Sequence, residues 1–333
     1  MILAGDIGGT KTHLALFEAR GSTILPIVQK SYQSRDFTTL VAVLEEMIRE
    51  ERPAVTQAAF GIAGPIVDHH SKLTNLGWDV DGREVADYLG LKRVGLLNDL
   101  EATAYGTLRL GSGERVVLQK GSRQQKRAVA VIAAGTGLGE GGLVWDGARY
   151  RAVPSEGGHT EFGPRNTVEM DLLRYLLERY DRVSYERIVS GPGLVNVYDF
   201  FRDRSGRPEP EWLRMQKERG DASAAISRAG MDRTDPVCVE ALDLFVSLYG
   251  AEAGNLALKL LATGGVFVGG GIAPKILPRI HEGEFLQSFH HKGRYRSLME
   301  QIPVEVVLND RTALIGAAHY ALLMEELEGP AGG

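Results

Sequence analysis

Ile2-Leu3-Ala4-Gly5-Asp6-Ile7 runs into Gly8-Gly9-Thr10-Lys11-Thr12 and returns through His13-Leu14-Ala15-Leu16-Phe17. Two apolar runs of strand length joined by a glycine turn make a β-hairpin. The layout recurs at Val129-Ala130-Val131-Ile132-Ala133-Ala134, Gly135-Thr136-Gly137-Leu138-Gly139-Glu140-Gly141-Gly142 and Leu143-Val144-Trp145. Two such units, one opening each half of the chain, are internal self-similarity. Between them, Phe37, Leu40, Val41, Leu44, Met47 and Ile48 keep a helical period, with Asp36 as the expected N-cap. Segments 58–64 and 94–99 read as buried strands, the second followed by a helix to about Leu108. Farther on, 168–180 and 237–262 read as helices and 202–210 as a surface loop. Segment 266–268 is a strand entering a third glycine turn, Gly269-Gly270-Gly271. A late strand at 304–308 precedes a helix at 312–327, capped by Asp310 or Thr312. Strands alternating with helices predict an α/β fold with parallel strands. In such sheets ligands bind beyond the carboxyl ends of the strands.

Composition narrows the function classes. The 333 residues are 44% hydrophobic and 24% charged, an ordinary globular balance of two-domain length. Lys plus Arg total 38 against 43 Asp plus Glu, a net charge of −5. Neither a basic nucleic-acid footprint nor a polybasic membrane surface is therefore expected. The single cysteine, Cys238, excludes a disulfide framework and a cysteine-based zinc site within the chain. It lies in a helical apolar pattern and reads as a packing residue. No leader pattern opens the sequence and no run approaches about 18 apolar residues, so a cytoplasmic protein without a membrane partner is expected. The one oddity is 41 glycines.

The three glycine turns fall where strands end. Glycine lets successive backbone N–H groups approach an anion. In the first turn, Gly8, Gly9, Thr10, Lys11 and Thr12 are candidates to meet phosphate oxygens, with Asp6 holding Mg²⁺ through water. Gly135, Thr136 and Gly137 add backbone donors and a hydroxyl. Gly269, Gly270 and Gly271 leave bare backbone on which a nucleoside can lie. A hairpin without a ligand is the ordinary reading of any one turn; three together favour a nucleotide. None matches the P-loop or dinucleotide fingerprints. Asn98-Asp99 is either a helix cap or a base, Asp99, with Asn98 bonding the same substrate. Glu156-Gly157-Gly158-His159-Thr160-Glu161 is either a solvated loop or a set of donors and acceptors for sugar hydroxyls. His159-Thr160-Glu161 fits the H-x-E of zinc deaminases, but the later P-C-x-x-C is missing. Glu186 alone reads as a surface charge. The adjacent pairs His69, His70 and His290, His291 read as surface residues.

Taken together, Asp6-Ile7-Gly8-Gly9-Thr10-Lys11-Thr12, Leu97-Asn98-Asp99-Leu100-Glu101-Ala102, Ala134-Gly135-Thr136-Gly137-Leu138-Gly139, Glu156-Gly157-Gly158-His159 and Glu186-Arg187-Ile188-Val189-Ser190-Gly191-Pro192-Gly193-Leu194 resemble the bacterial ATP-dependent glucokinases of the hexokinase–actin–Hsp70 superfamily. The resemblance runs from Met1 to about Glu325. Its Gly-Gly-Thr turn is widespread among sugar kinases; the Glu-Gly-Gly-His and Ser-Gly-Pro-Gly-Leu segments are specific. It implies a two-domain actin-like, ribonuclease H-like ATPase fold with a central cleft. The smaller α/β domain would span 1–110 plus about 302–327, the larger 111–301, with 328–333 a disordered tail. The resemblance further implies ATP phosphates on the first two turns and adenosine near Gly269, Gly270 and Gly271. Glucose would lie on Asn98, Asp99, Glu156, His159 and Glu186, with Asp99 as base, in a homodimer. Many sugar kinases of the repressor/ORF/kinase group carry a cysteine-rich zinc motif after a similar Glu-x-Gly-His. Here Glu161-Phe162-Gly163-Pro164 follows instead, so no zinc requirement is expected. The expected reaction is ATP- and Mg²⁺-dependent conversion of glucose to glucose 6-phosphate. The alternatives are a kinase for another hexose and a non-catalytic sugar-sensing protein on the same fold.

Overall fold

The computed structural model describes residues 1–20, 23–73 and 75–326; the tail expected at 328–333 lies outside them. The chain divides into two compact units. One comprises Met1–Gly111, Ala152–Pro154 and Asn309 onward, the other Ser112–Arg151 and Ser155–Leu308.

The first unit is built on β1 (Ile2–Ile7), β2 (Lys11–Arg20), β3 (Thr23–Gln33), β4 (Gln57–Ile62) and, beyond a ribbon of β5 (His70–Leu73) and β6 (Trp78–Asp81), β7 (Gly95–Asn98). The sheet order is β3-β2-β1-β4-β7. β1 is antiparallel to β2 and parallel to β4, which is parallel to β7. Side chains alternate between faces. Leu3 and Ile7 join Leu14, Leu44, Met47 and Phe60 on one face. Ile2 and Ala4 join Ala59 and Leu314, Ala317 and Ala318 of the Thr312–Glu326 helix on the other. Period two therefore directs Asp6 to the face that this helix covers. The helix crosses the Asp99–Thr107 helix at bare backbone. A Cβ on Gly106 would lie 2.8 Å from the Thr312 carbonyl carbon, and one on Gly316 would lie 2.7 Å from that of Ala102. Neither glycine can acquire a side chain without parting the helices.

The second unit carries β8 (Arg115–Gln119), β9 (Val129–Ala134), β10 (Leu138–Trp145), β11 (Tyr150–Val153), β12 (Gly265–Gly269) and β13 (Val304–Val307) in the order β11-β10-β9-β12-β13-β8. β9, β12 and β13 run parallel; β10 and β8 are antiparallel to their neighbours. Ala130, Ile132, Ala134, Val266, Val268, Val304 and Val306 face a core closed by the 25-residue Pro236–Leu260 helix. Cys238 is buried there as a packing residue, and burial pushes its thiol up to about 12. Among the described residues no helix is long and apolar enough to cross a membrane.

Several local expectations change. Asp36 ends a 3₁₀ turn, and Thr39 caps the Leu40–Glu51 helix by accepting from the Ala42 N–H at 3.2 Å. The start of the expected loop at 202–210 is helical, because the Gly191–Ser205 helix runs on to a left-handed Gly206. Segment 302–308, grouped by sequence with the first unit, falls in the second, because β13 pairs with β12 and β8. His290 is not a surface residue: half-buried, its Nε2 lies 2.6 Å from Gln119 Oε1. His70 is likewise half-buried, beside Asp79.

Candidate active site

In the first unit, three parallel strands end side by side. Asp6 pairs in register with Gly61, and Ile62 with Asn98. The turn after β1 closes by a 3.0 Å bond from the Gly8 N–H to the Lys11 carbonyl. Ser34 clamps it: its N–H donates to Thr10 O at 3.0 Å and its hydroxyl donates to Gly8 O at 2.8 Å. Thr12 is fully buried, its hydroxyl 3.0 Å from Ser34 Oγ. Thr12 is thus removed from the expected phosphate donors and instead fixes the turn that exposes Thr10 and Lys11.

The structure shows the cap reading of Asn98-Asp99. Asn98 caps the Asp99–Thr107 helix, accepting from the Leu100 N–H at 2.9 Å, and Glu101 completes a capping box. One Asn98 Nδ2–H goes to Gly64 O at 3.2 Å; the amide carries a second. Asp99 opens the helix and is half-buried, one carboxylate oxygen accepting from Leu100 N–H at 2.9 Å. Burial, then the charge of Asp99, pushes Asp6 up to about 6, while Arg311 opposes both. Arg311 escaped the sequence reading. Its N–H is bonded to Asn309 Oδ1 at 2.7 Å, just before the helix that covers Asp6. The only signal was its place ahead of a helix on the Asp6 face.

In the second unit, the Gly135–Gly137 turn closes by a 2.8 Å bond from the Gly135 N–H to Gly137 O. The Gly191 N–H donates to Gly135 O at 2.8 Å, and the Ile272 N–H to Ala134 O at 3.2 Å. These bonds gather the second glycine turn, the third glycine turn and a helix N-terminus around one cavity of about 780 Å³. Gly135, Thr136, Gly191, Pro192, Gly271 and Lys275 are on its wall. Gly269 is not: it is buried at the end of β12, its carbonyl accepting from the Tyr249 hydroxyl at 3.1 Å. The Gly191–Ser205 helix, capped by Ser190, aims the positive end of its dipole at this cavity, a natural anion site. Lys275 and Gly191 were missed as lining residues because nothing local in sequence joins them to Gly135.

The Glu156 segment is ordered by its neighbour. Tyr185 N–H donates to Thr160 O at 3.0 Å, and Phe162 N–H to Val183 O at 2.9 Å. Glu156 and the Gly157–His159 turn are thereby fixed near Glu186, whose carboxylate accepts from Leu138 N–H at 3.0 Å. Glu156 and His159 are exposed and Glu186 is half-buried, so three polar groups of one unit remain accessible beside the second glycine turn. Among the described residues no group of three or more His, Cys, Asp or Glu side chains is arranged to hold a metal ion.

The chain was also compared with known proteins. The glucokinase family model matches residues 3–324. A glucokinase from Nostoc sp. is 46% identical over 96% of this chain and 98% of its own length. The crystal structure of a glucokinase from an Antarctic psychrotroph superposes with a TM-score of 0.85 at 30% identity, covering 97% of this chain and 98% of that one. A glucokinase of the ROK family from Streptomyces griseus, solved with glucose and AMPPNP, shares the fold at a TM-score of 0.64 and 24% identity, covering 97% of this chain and 99% of its own. With matches spanning almost its full length, the chain belongs to the glucokinase family.

Proposed function

We propose that in the ATP-dependent phosphorylation of glucose by this glucokinase, Asp99 accepts the proton of the 6-hydroxyl. Family membership sets aside the sugar-sensing alternative. The observation that carries the assignment is the half-buried Asp6–Asp99 carboxylate pair at the strand ends. The first turn of a helix favours a negatively charged side chain, and a base for an alcohol must be ionised and within reach of the proton. Asp6 is the group for Mg²⁺. Mg²⁺ binds oxygen ligands through one or two carboxylates, keeping several waters, and the Asp6 carboxylate at the turn fits that donor set. When bound, Mg²⁺ neutralises charge on the ATP phosphates. Lys11 and the N–H groups of Gly9 and Thr10 stabilise charge on the transferred phosphoryl group, while the Gly8 N–H is held by the Lys11 carbonyl and shapes the turn. Gly135, Thr136, Gly137, Gly270 and Gly271 receive the nucleotide. Glu156, His159, Glu186 and the second amide proton of Asn98 bind ring hydroxyls. The co-occurrence of glucose and AMPPNP in the Streptomyces relative supports this two-substrate reading. Family resemblance supports a cytoplasmic homodimer without a zinc requirement.

The test is ADP release with glucose, mannose and fructose for the parent chain and for Glu156→Gln and Glu186→Gln. A hydrogen bond to a charged group contributes about 1.5–3 kcal/mol, or roughly 10- to 150-fold in rate. Each variant should lose at least about tenfold in kcat/KM for glucose. Unaltered kcat/KM for every sugar would remove these residues from the sugar pocket.

A further inference from the structure

Glu140 is a carboxylic acid where the strand pattern calls for an apolar residue. It lies opposite Ile132 in the β9–β10 register, so its side chain shares the core-facing side of the sheet. It is 1% exposed, and neither carboxylate oxygen has a hydrogen-bond donor among the described residues. The side chain lies directly under the Glu-Gly-Gly-His turn. A Cβ on Gly157 would overlap Glu140 Oε2 and lie 3.0 Å from Glu140 Cδ; a Cβ on Gly158 would overlap the Leu138 carbonyl oxygen. The two glycines are therefore the means by which the turn rests on β10, with the Glu140 carboxyl group as part of its floor.

The surroundings of that carboxyl favour a proton on it. Burial raises its pKa, the charge of Glu252 raises it further and Lys259 lowers it, leaving it at about 8. From the Pro236–Leu260 helix, Glu252, Lys259 and the buried Tyr249 face it. Glu252 is fully buried and already compensated, accepting from Asn255 Nδ2 at 2.7 Å and pairing with Lys259 Nζ at 3.2 Å. The Asn255 amide also donates to the Tyr185 hydroxyl at 3.1 Å. Lys292, lowered to about 8 by burial, faces Glu252, Lys259 and Arg165, and Arg165 is itself paired with Glu169. A protonated Glu140 has an acceptor in Glu252; an ionised one has no donor and must draw in water.

We propose that Glu140 is a positioning residue for glucose: as a neutral acid it supports the Gly157–His159 turn and holds Glu156 and His159 in register for the sugar. The proposal rests on the reading that Glu156 and His159 bind glucose. Ionisation of Glu140 hydrates the floor, lifts the turn and weakens glucose binding, while the nucleotide cavity and Asp99 are untouched.

The test is the pH profile, from pH 6.5 to 9.5, of KM for glucose and KM for ATP in the parent enzyme, Glu140→Gln and Glu140→Ala. In the parent, KM for glucose should rise above about pH 8, by up to about tenfold per pH unit, for a single proton. KM for ATP should not follow it. Glu140→Gln, neutral and nearly isosteric, should keep the low KM for glucose and abolish the alkaline rise. Glu140→Ala should raise KM for glucose at least about fivefold at every pH, with kcat within about twofold. An alkaline rise that persists in Glu140→Gln would overturn the proposal and assign the titration elsewhere, Lys292 included. An unchanged KM in Glu140→Ala would overturn it as well. Glu156→Gln and His159→Asn serve as the reference. If both leave kcat/KM for glucose unchanged, the sugar-pocket reading fails; if they impair it while the Glu140 variants behave like the parent, only the Glu140 proposal fails.

Discussion

Gly158→Ala tests how tightly the turn proposed to bind the sugar is fastened to its strand. A Cβ at residue 158 would overlap the Leu138 carbonyl oxygen and stand 2.9 Å from the carbonyl carbon and 3.0 Å from Leu138 Cβ. An ordinary contact needs about 3.4–4 Å, so turn and strand must part by roughly 1.5 Å or more at the Leu138 carbonyl oxygen. β10 is held by the full β9 ladder, Leu138 to Leu143. The turn is held by fewer bonds and carries exposed side chains, so it is the turn that moves. Overpacking of this kind costs about 1–3 kcal/mol, a fall in Tm of roughly 2–12 °C for a unit of this size. A displacement of about 1 Å at a positioning group costs on the order of 100-fold in kcat/KM. Steady-state kinetics with glucose varied, then ATP varied, and thermal unfolding make the assay. Glucose kcat/KM should fall 10- to 100-fold, with KM for ATP within about threefold. Gly113→Ala, where an added Cβ meets nothing within 4 Å, is the control and should match the parent. A Gly158→Ala enzyme with glucose kcat/KM within twofold of the parent would refute the claim that this contact sets the pocket.

Two further outcomes follow from other parts of the structure. Burial, then the neighbouring Arg109, lowers His319 to about 4. Below pH 6.5 the unfolded chain takes up a proton that the folded chain refuses, so stability falls as pH drops from about 6.5 towards 4. Urea midpoints should show a loss of about 2 kcal/mol between pH 7 and pH 5, and His319→Gln should flatten that slope; an equal slope in the variant would contradict it. Activity should vanish with EDTA and return with Mg²⁺, whereas a zinc-selective chelator at saturating Mg²⁺ should leave it intact; loss with the second reagent would contradict the metal assignment.

What could be read from sequence was whatever is local along the chain. The hairpin 2–17, the Asn98 cap and the strand before the third glycine turn are encoded by neighbouring residues, and β1, β2, the Asn98 cap and β12 appear where expected. Pairings distant in sequence were not legible. Nothing near residue 304 announces β12 and β8 as its partners, so the strand was grouped with the wrong unit. Thr12 looks like a phosphate donor until Ser34, 22 residues away, is seen to occupy its hydroxyl. Arg311 and Lys275 reach their sites only through tertiary packing. Glu140 read as one residue of a glycine-rich turn; its burial depends on a helix more than 90 residues later.

The most direct measurement is single-turnover and steady-state phosphorylation of glucose by Asp99→Asn. Asparagine keeps an acceptor for the Leu100 N–H at 2.9 Å and leaves the Asn98–Glu101 capping box in place. The fold and glucose binding should therefore survive, with stability changed by less than about 1 kcal/mol. Loss of a general base costs on the order of 10²–10⁴ in rate, or about 3–5 kcal/mol of barrier. The account predicts a kcat reduced by at least about 100-fold while glucose affinity, measured by equilibrium titration, stays within about fivefold of the parent. Near-normal turnover by a folded Asp99→Asn enzyme would contradict it.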